Sequence, residues 1–171
     1  MTEQHSYQLT AELIDDALAE LITIHDWLRF AVSQFNAADI YFGHGTDNPW
    51  DEAGVLMAHT LHFTHLAEPA LLQTRLTRTE RRQFVELLQA RIEQRVPAAY
   101  LTQHAFFAGL PFYVDERVLV PRSPIAELIV QQFGSWFAVN PPSRILDLCT
   151  GSGCIAIACA YALPEARIDA V

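Results

Sequence analysis

The chain has 171 residues, a formal net charge of −9 from 20 Asp and Glu against 11 Lys and Arg, and a composition that is 51% hydrophobic. That balance argues against a nucleic-acid footprint on this portion, which needs clustered positive charge, and no apolar run approaches the about 20 residues that cross a bilayer. An acidic, apolar-rich chain whose first apolar segment has no basic leader reads as a folded cytoplasmic protein suited to a basic partner.

Ile14, Leu18, Leu21, His25, Leu28, Val32 and Phe35 recur in steps of four and three, which predicts one amphipathic helix from about Thr10 to Phe35. His25 interrupts its stripe and is expected as a hydrogen-bonded core residue. Tyr41 to Trp50 is rich in glycine and aromatics and long for a helix-helix turn, so it is a candidate for substrate contact. A second helix starts at Asn48 as cap, with Pro49 in the first position and Asp51 and Glu52 in the first turn. His59, His62 and His65 follow three apart on it. Each step rotates back by about 60°, so the imidazoles fan out with no further ligand placed, and structural use is expected rather than a metal site. Thr77 and Glu80 form a capping box for a third helix, which carries Phe84, Leu87, Leu88, Arg91 and Ile92 and ends before Pro97. Arg75, Arg78, Arg81 and Arg82, broken by Glu80 and Glu86, read as a solvated face.

His104–Phe107 and Phe112–Val114 flank Ala108-Gly-Leu-Pro111, the pattern of two short strands joined at a glycine turn. Ser123 then caps a helix with Pro124 in its first position, running through Ile125, Leu128, Ile129, Gln132 and Phe133. Asn140-Pro-Pro142 is a stop between that region and the next strand.

The most informative stretch begins at Ile145. Ile145, Leu146 and Leu148 predict a buried strand, Gly151 and Gly153 permit positive φ and close backbone approach, and Ile155–Ala158 opens a tightly packed helix whose first N–H groups face the turn. Two ligand classes fit such a turn. Gly151-Ser-Gly153-Cys-Ile-Ala156 satisfies the pattern of dinucleotide dehydrogenases, where the helix N-terminus takes a pyrophosphate. Asp147, at the carboxyl end of the strand, would repel a pyrophosphate and suits a cationic ligand without phosphate, such as S-adenosylmethionine with its ammonium and sulfonium. Cys149, Cys154 and Cys159 lie five apart, spread around a helix, and are expected as small buried thiols. From Arg144 to Val171 there is room for one strand, one helix and part of a second strand, fewer units than a doubly wound sheet contains.

Asp147, Gly151 and Gly153 resemble motif I of class I methyltransferases, an acid followed by alternating glycines, with Cys149 replacing the first glycine and, as a residue with a side chain, expected at negative φ. Arg95–Leu101, Phe112–Arg122 and Ser123–Leu128 resemble the linker of protein glutamine methyltransferases. Pro121-Arg-Ser-Pro-Ile-Ala-Glu127 and Tyr41–Glu52 resemble the branch that methylates a large-subunit ribosomal protein. The resemblance implies an α/β chain in three parts: a helical N-terminal substrate-recognition domain over 1–97, a short β-hairpin linker over 98–122, and the truncated start of a Rossmann-like class I methyltransferase domain over 123–171. It implies S-adenosylmethionine as cofactor, with Asp147 near its ammonium, the backbone of Thr150, Gly151, Ser152 and Gly153 near its carboxylate, Cys149 in the same turn, and Arg122 and Glu127 as flanking supports. The implied reaction is in-line attack of a glutamine side-chain nitrogen on the sulfonium methyl, giving N-methylglutamine and S-adenosylhomocysteine.

The family's Asn-Pro-Pro-Tyr signature follows the fourth strand. Here Asn140-Pro141-Pro142 is followed by Ser143 and precedes the first strand, so no catalytic residue is assigned. The chain is accordingly expected to be the N-terminal portion of a protein of about 300 residues, and to be inactive alone. Two other readings remain: a nicotinamide-dependent Rossmann dehydrogenase, and a non-catalytic helical interaction module carrying a stub of a cofactor fold.

Overall fold

A computed structural model describes residues 7–137 and 139–171, and the chain divides into two compact units, Met1–Thr102 and Gln103–Val171. The first is helical: α1 (Ala11–Glu20), α2 (Ile24–Ala37), α3 (Pro49–Thr60), a 3-10 turn (Pro69–Gln73), α4 (Arg78–Glu93) and α5 (Ala98–Thr102).

The single helix expected from Thr10 to Phe35 is two helices. Thr23 is extended, its hydroxyl accepts from the Asp26 amide at 3.2 Å, and the Asp26 carboxylate accepts from the Thr23 amide at 2.8 Å. This capping box starts a new helix in place of one more turn of the old, and it frees the Ile22 carbonyl to accept from the Leu76 amide. Restarting the helix also resets its buried face to Ile24, Trp27, Leu28, Ala31 and Phe35. His25 therefore turns outward, exposed and stacked with Trp50 at 6.4 Å, rather than lying in the core.

Trp27 and Phe35 from α2 join Leu56 and Met57 from α3 and Phe84, Leu88 and Ile92 from α4 in one core. Each of these side chains contributes about 1.5–3 kcal/mol by leaving water. α3 and α4 begin where expected, the Asn48 side chain accepting from the Asp51 amide and Thr77 and Glu80 closing their box. α3 ends before the histidine series does. His62 is left-handed at φ 58, its amide donates to His59, and the Phe63 amide reaches back to the Ala58 carbonyl, the paired bonds of a Schellman stop. Only His59 of the three histidines is helical, so the fan on one helix does not form. In the arginine cluster Arg75, Arg78 and Arg82 are exposed, while Arg81 donates to the Leu76 and Leu18 carbonyls. Ala98–Thr102, at the start of the stretch read as linker, forms α5, and its Ala98 and Leu101 pack in the helical core.

The second unit contains an antiparallel hairpin, β1 (His104–Phe107) and β2 (Leu110–Tyr113), the short helices α6 (Ile125–Val130) and α7 (Gly134–Phe137), and a parallel pair, β3 (Arg144–Asp147) and β4 (Arg167–Ala170), joined through α8 (Cys154–Ala162). The hairpin turn is two residues rather than four. Ala108 and Gly109 both take positive φ, 49° and 78°, the geometry that follows strand twist, so Leu110 and Pro111 belong to the strand. Pro111 stands opposite Phe106, one pair beyond the closing pair, where a ladder has no bond to lose. α6 is likewise shorter than expected. Ser123 approaches the Ile125 amide only at 3.4 Å, and Pro124 itself occupies the cap position. At the far end Gln132 and Phe133 are left-handed, with the Gln132 amide on Ile129 and the Phe133 amide on Leu128, a second Schellman stop.

α8 packs against α6 and both strands, and Ile129, Cys154, Ala158 and Cys159 form the core with Ile145 and Ile168 at its edge. Strand alternation turns Leu146 to the other face, where it is 60% exposed, and Leu148 lies beyond the strand end at 70%. The strand is thus covered on one face among the described residues, not buried on both. Among those residues no helix is long and apolar enough to cross a membrane.

Candidate functional site

The second unit places a tight turn between the carboxyl end of β3 and the N-terminus of α8. Three residues in alternation take left-handed backbone: Cys149 at φ 63, Gly151 at φ 58 and Gly153 at φ 79. The expectation of negative φ at Cys149 is therefore wrong. The turn demands the same backbone there as at its glycines, and bonds on either side enforce it. The Thr150 amide donates to the Val171 carbonyl at 3.0 Å and the Thr150 hydroxyl to Asp147 at 2.6 Å. Nor is Cys149 a buried thiol: it is exposed, whereas Cys154 and Cys159 are buried. Burial, and secondarily the negative charge of Asp147, push the Cys159 thiol up.

Asp147 does more than present a charge. It is 9% exposed, and its Oδ2 accepts both from the Thr150 hydroxyl and, at 3.1 Å, from the Ala156 amide. Gly153 is the cap position of α8 and has no side chain to offer, and Ala156 is the third helical residue, whose amide a cap normally satisfies. The strand-end carboxylate thus caps the helix from nine residues upstream and sits in the positive field of its N-terminus. Reasoning from sequence missed this; the signal was a helix opening on glycine with the only nearby acid at the strand end.

Of the expected backbone donors, Thr150 and Gly153 are already engaged, Gly153 with the Thr150 carbonyl at 3.0 Å. The remaining donors of the turn are the amides of Gly151 and Ser152. A Cβ built on Gly151 would meet nothing within 4 Å, so space opens beside the turn, while one on Gly153 would approach Ile157 at 3.9 Å. The structure thus brings together Asp147, Cys149, Thr150, Gly151, Ser152 and Gly153. Arg122 lies before α6 and Glu127 on its exposed side, and both are exposed. No three His, Cys, Asp or Glu residues among those described are grouped to hold a metal ion.

Residues 26–102 match the family described as the PrmC N-terminal domain, a match that ends at the boundary of the helical unit. The chain is 52% identical over 155 residues to a ribosomal protein uL3 glutamine methyltransferase of Xanthomonas campestris pv. campestris, covering 91% of the chain and 50% of the relative. It is 48% identical over 155 residues to a protein of the same description from Bordetella pertussis, covering 89% and 51%. The chain spans about half the length of these curated relatives, and across nearly all of its own length its sequence is similar to the ribosomal protein uL3 glutamine methyltransferases.

Proposed function

We propose that the chain forms part of a cytoplasmic, S-adenosylmethionine-dependent methyltransferase that modifies a glutamine side-chain nitrogen of a large-subunit ribosomal protein, uL3. The observation that carries this is the turn after β3: alternating left-handed residues that expose backbone amides, beside an acid seated at the start of α8. S-adenosylmethionine bound there would supply an electrophilic methyl group on a positively charged sulfur. Asp147 would face its ammonium, and the amides of Gly151 and Ser152 its carboxylate, with the open space beside Gly151 admitting the ligand. Arg122, before α6, and Glu127, on the exposed side of α6, would support the site from its rim.

On this reading β3, α8 and β4 are the beginning of a Rossmann-like sheet, and the helical unit recognises the substrate. The same geometry disfavours a nicotinamide dinucleotide. The N-terminus of α8 already holds the Asp147 carboxylate, and a pyrophosphate brought there would meet like charge at close range with no ammonium of its own to offset it. Similarity to named glutamine methyltransferases over 91% of the chain supports an enzyme over a non-catalytic helical module. The test is to incubate the protein, as its cells make it, with uL3 and S-adenosylmethionine and to sequence the product by mass spectrometry. A methyl group on a glutamine of uL3 is expected; cofactor consumption without methylated glutamine, or none at all, would overturn the reading.

A further inference from the structure

The segment between α2 and α3 is gripped from inside by buried charge. Glu52 and Arg91 are 2% and 3% exposed and form an ion pair. The Arg91 guanidinium also donates to the Tyr41 carbonyl at 2.9 Å, and the Thr46 hydroxyl donates to Glu52. The pair therefore holds, at Tyr41 and at Thr46, a stretch, residues 41–48, that has no regular structure of its own. A buried ion pair adds little stability over two apolar side chains of the same size. Its specific effect here is positional: it fixes the loop backbone.

What the fixed backbone displays is aromatic and acidic. Tyr41 is 73% exposed, with His44 edge-on to it at 6.0 Å, and Trp50 is 48% exposed, stacked with His25. Exposed aromatic rings on a rigid backbone lose little entropy on binding and recur among the residues that dominate interfaces. Asn48 Nδ2 donates to Asp47 at 2.8 Å and to Asp51 at 2.7 Å, so one amide holds two exposed carboxylates near each other, and Asp39 is exposed at the start of the same segment. Just before the segment, Arg95 has its guanidinium on the carbonyls of Ala38 and Asp39. Aromatic faces beside carboxylates are the chemistry that accepts arginine and lysine.

We propose that Tyr41–Asp51 is a docking surface for a lysine- and arginine-bearing segment of the protein substrate, with Glu52 and Arg91 as its positioning residues. This rests on the reading that the substrate is uL3. The test is calorimetric titration of the protein, as its cells make it, with purified uL3. Replacing Tyr41→Ala together with Asp47→Asn, and separately Trp50→Ala, should weaken binding by about tenfold or more. The unfolding midpoint and the affinity for S-adenosylhomocysteine should stay where they are. Glu52→Gln, which keeps the shape and removes the charge, should raise KM for uL3 more than it changes kcat. Wild-type affinity in the Tyr41→Ala, Asp47→Asn protein would overturn the docking surface even if the protein methylates uL3. A parent protein that neither binds nor methylates uL3 would remove the functional reading, and the surface with it.

Discussion

Cys149 carries a side chain where the backbone requires φ 63, a region that costs a non-glycine residue about 1–2 kcal/mol. Cys149→Gly should therefore stabilise the second unit by about 1 kcal/mol after the added freedom of the unfolded chain is counted, and Cys149→Val should destabilise it. Denaturant midpoints for the two variants check both signs. The positions of Gly151 and Gly153 in a left-handed turn were legible in the sequence because glycine advertises that conformation. The state of Cys149 was not, because it is imposed by bonds made at Asp147 and by the Val171 carbonyl, which belong to the sheet rather than to the tripeptide. At the same scale, Glu52→Ala should cost about 3–5 kcal/mol, since it leaves Arg91 buried without a counter-charge, whereas Glu52→Leu combined with Arg91→Met should recover most of the loss. Comparing the thermal unfolding of the single and double variants separates charge burial from simple loss of packing.

Helix ends explain most of what sequence periodicity misjudged. An apolar repeat runs from Leu18 and Leu21 on to Leu28 by its spacing, yet a local capping box at Thr23 and Asp26 outweighs it. The Schellman stops at His62 and at Gln132 are built by residues that carry no glycine signal. Starts were legible: Asn48-Pro49 and Thr77 with Glu80 announce themselves by side-chain chemistry. The box at α2 also predicts a pH dependence. The Thr23 amide and then its hydroxyl hold the Asp26 carboxyl below its ordinary value, against the opposing effect of burial, with the Ile22 amide adding less. A carboxyl depressed in the folded state contributes stability that is complete above the unfolded value of about 3.9 and is lost as the pH falls through the lowered one. Stability measured from neutral pH into acid should fall less steeply in Asp26→Asn than in the parent; parallel curves would contradict the capping role.

At the scale of the whole molecule, the sequence contains a helical unit with its own core and a second unit that sets a glycine turn at the end of a parallel strand. The turn and its acid could be read from the sequence, since both the residue types and their spacing are local. The second task of Asp147, as cap of α8, could not, because it depends on where α8 begins in space. Whether this turn receives S-adenosylmethionine is decided by calorimetric titration with S-adenosylhomocysteine of the protein as its cells make it, alongside Gly151→Val and Asp147→Asn. Saturable binding in the parent is predicted, weakened by about tenfold or more in each variant through loss of backbone approach or of roughly 1.4 kcal/mol or more of attraction, with the helical unit still folded. Parent-like affinity in Gly151→Val, or binding of NAD in place of S-adenosylhomocysteine, would contradict S-adenosylmethionine binding at this turn.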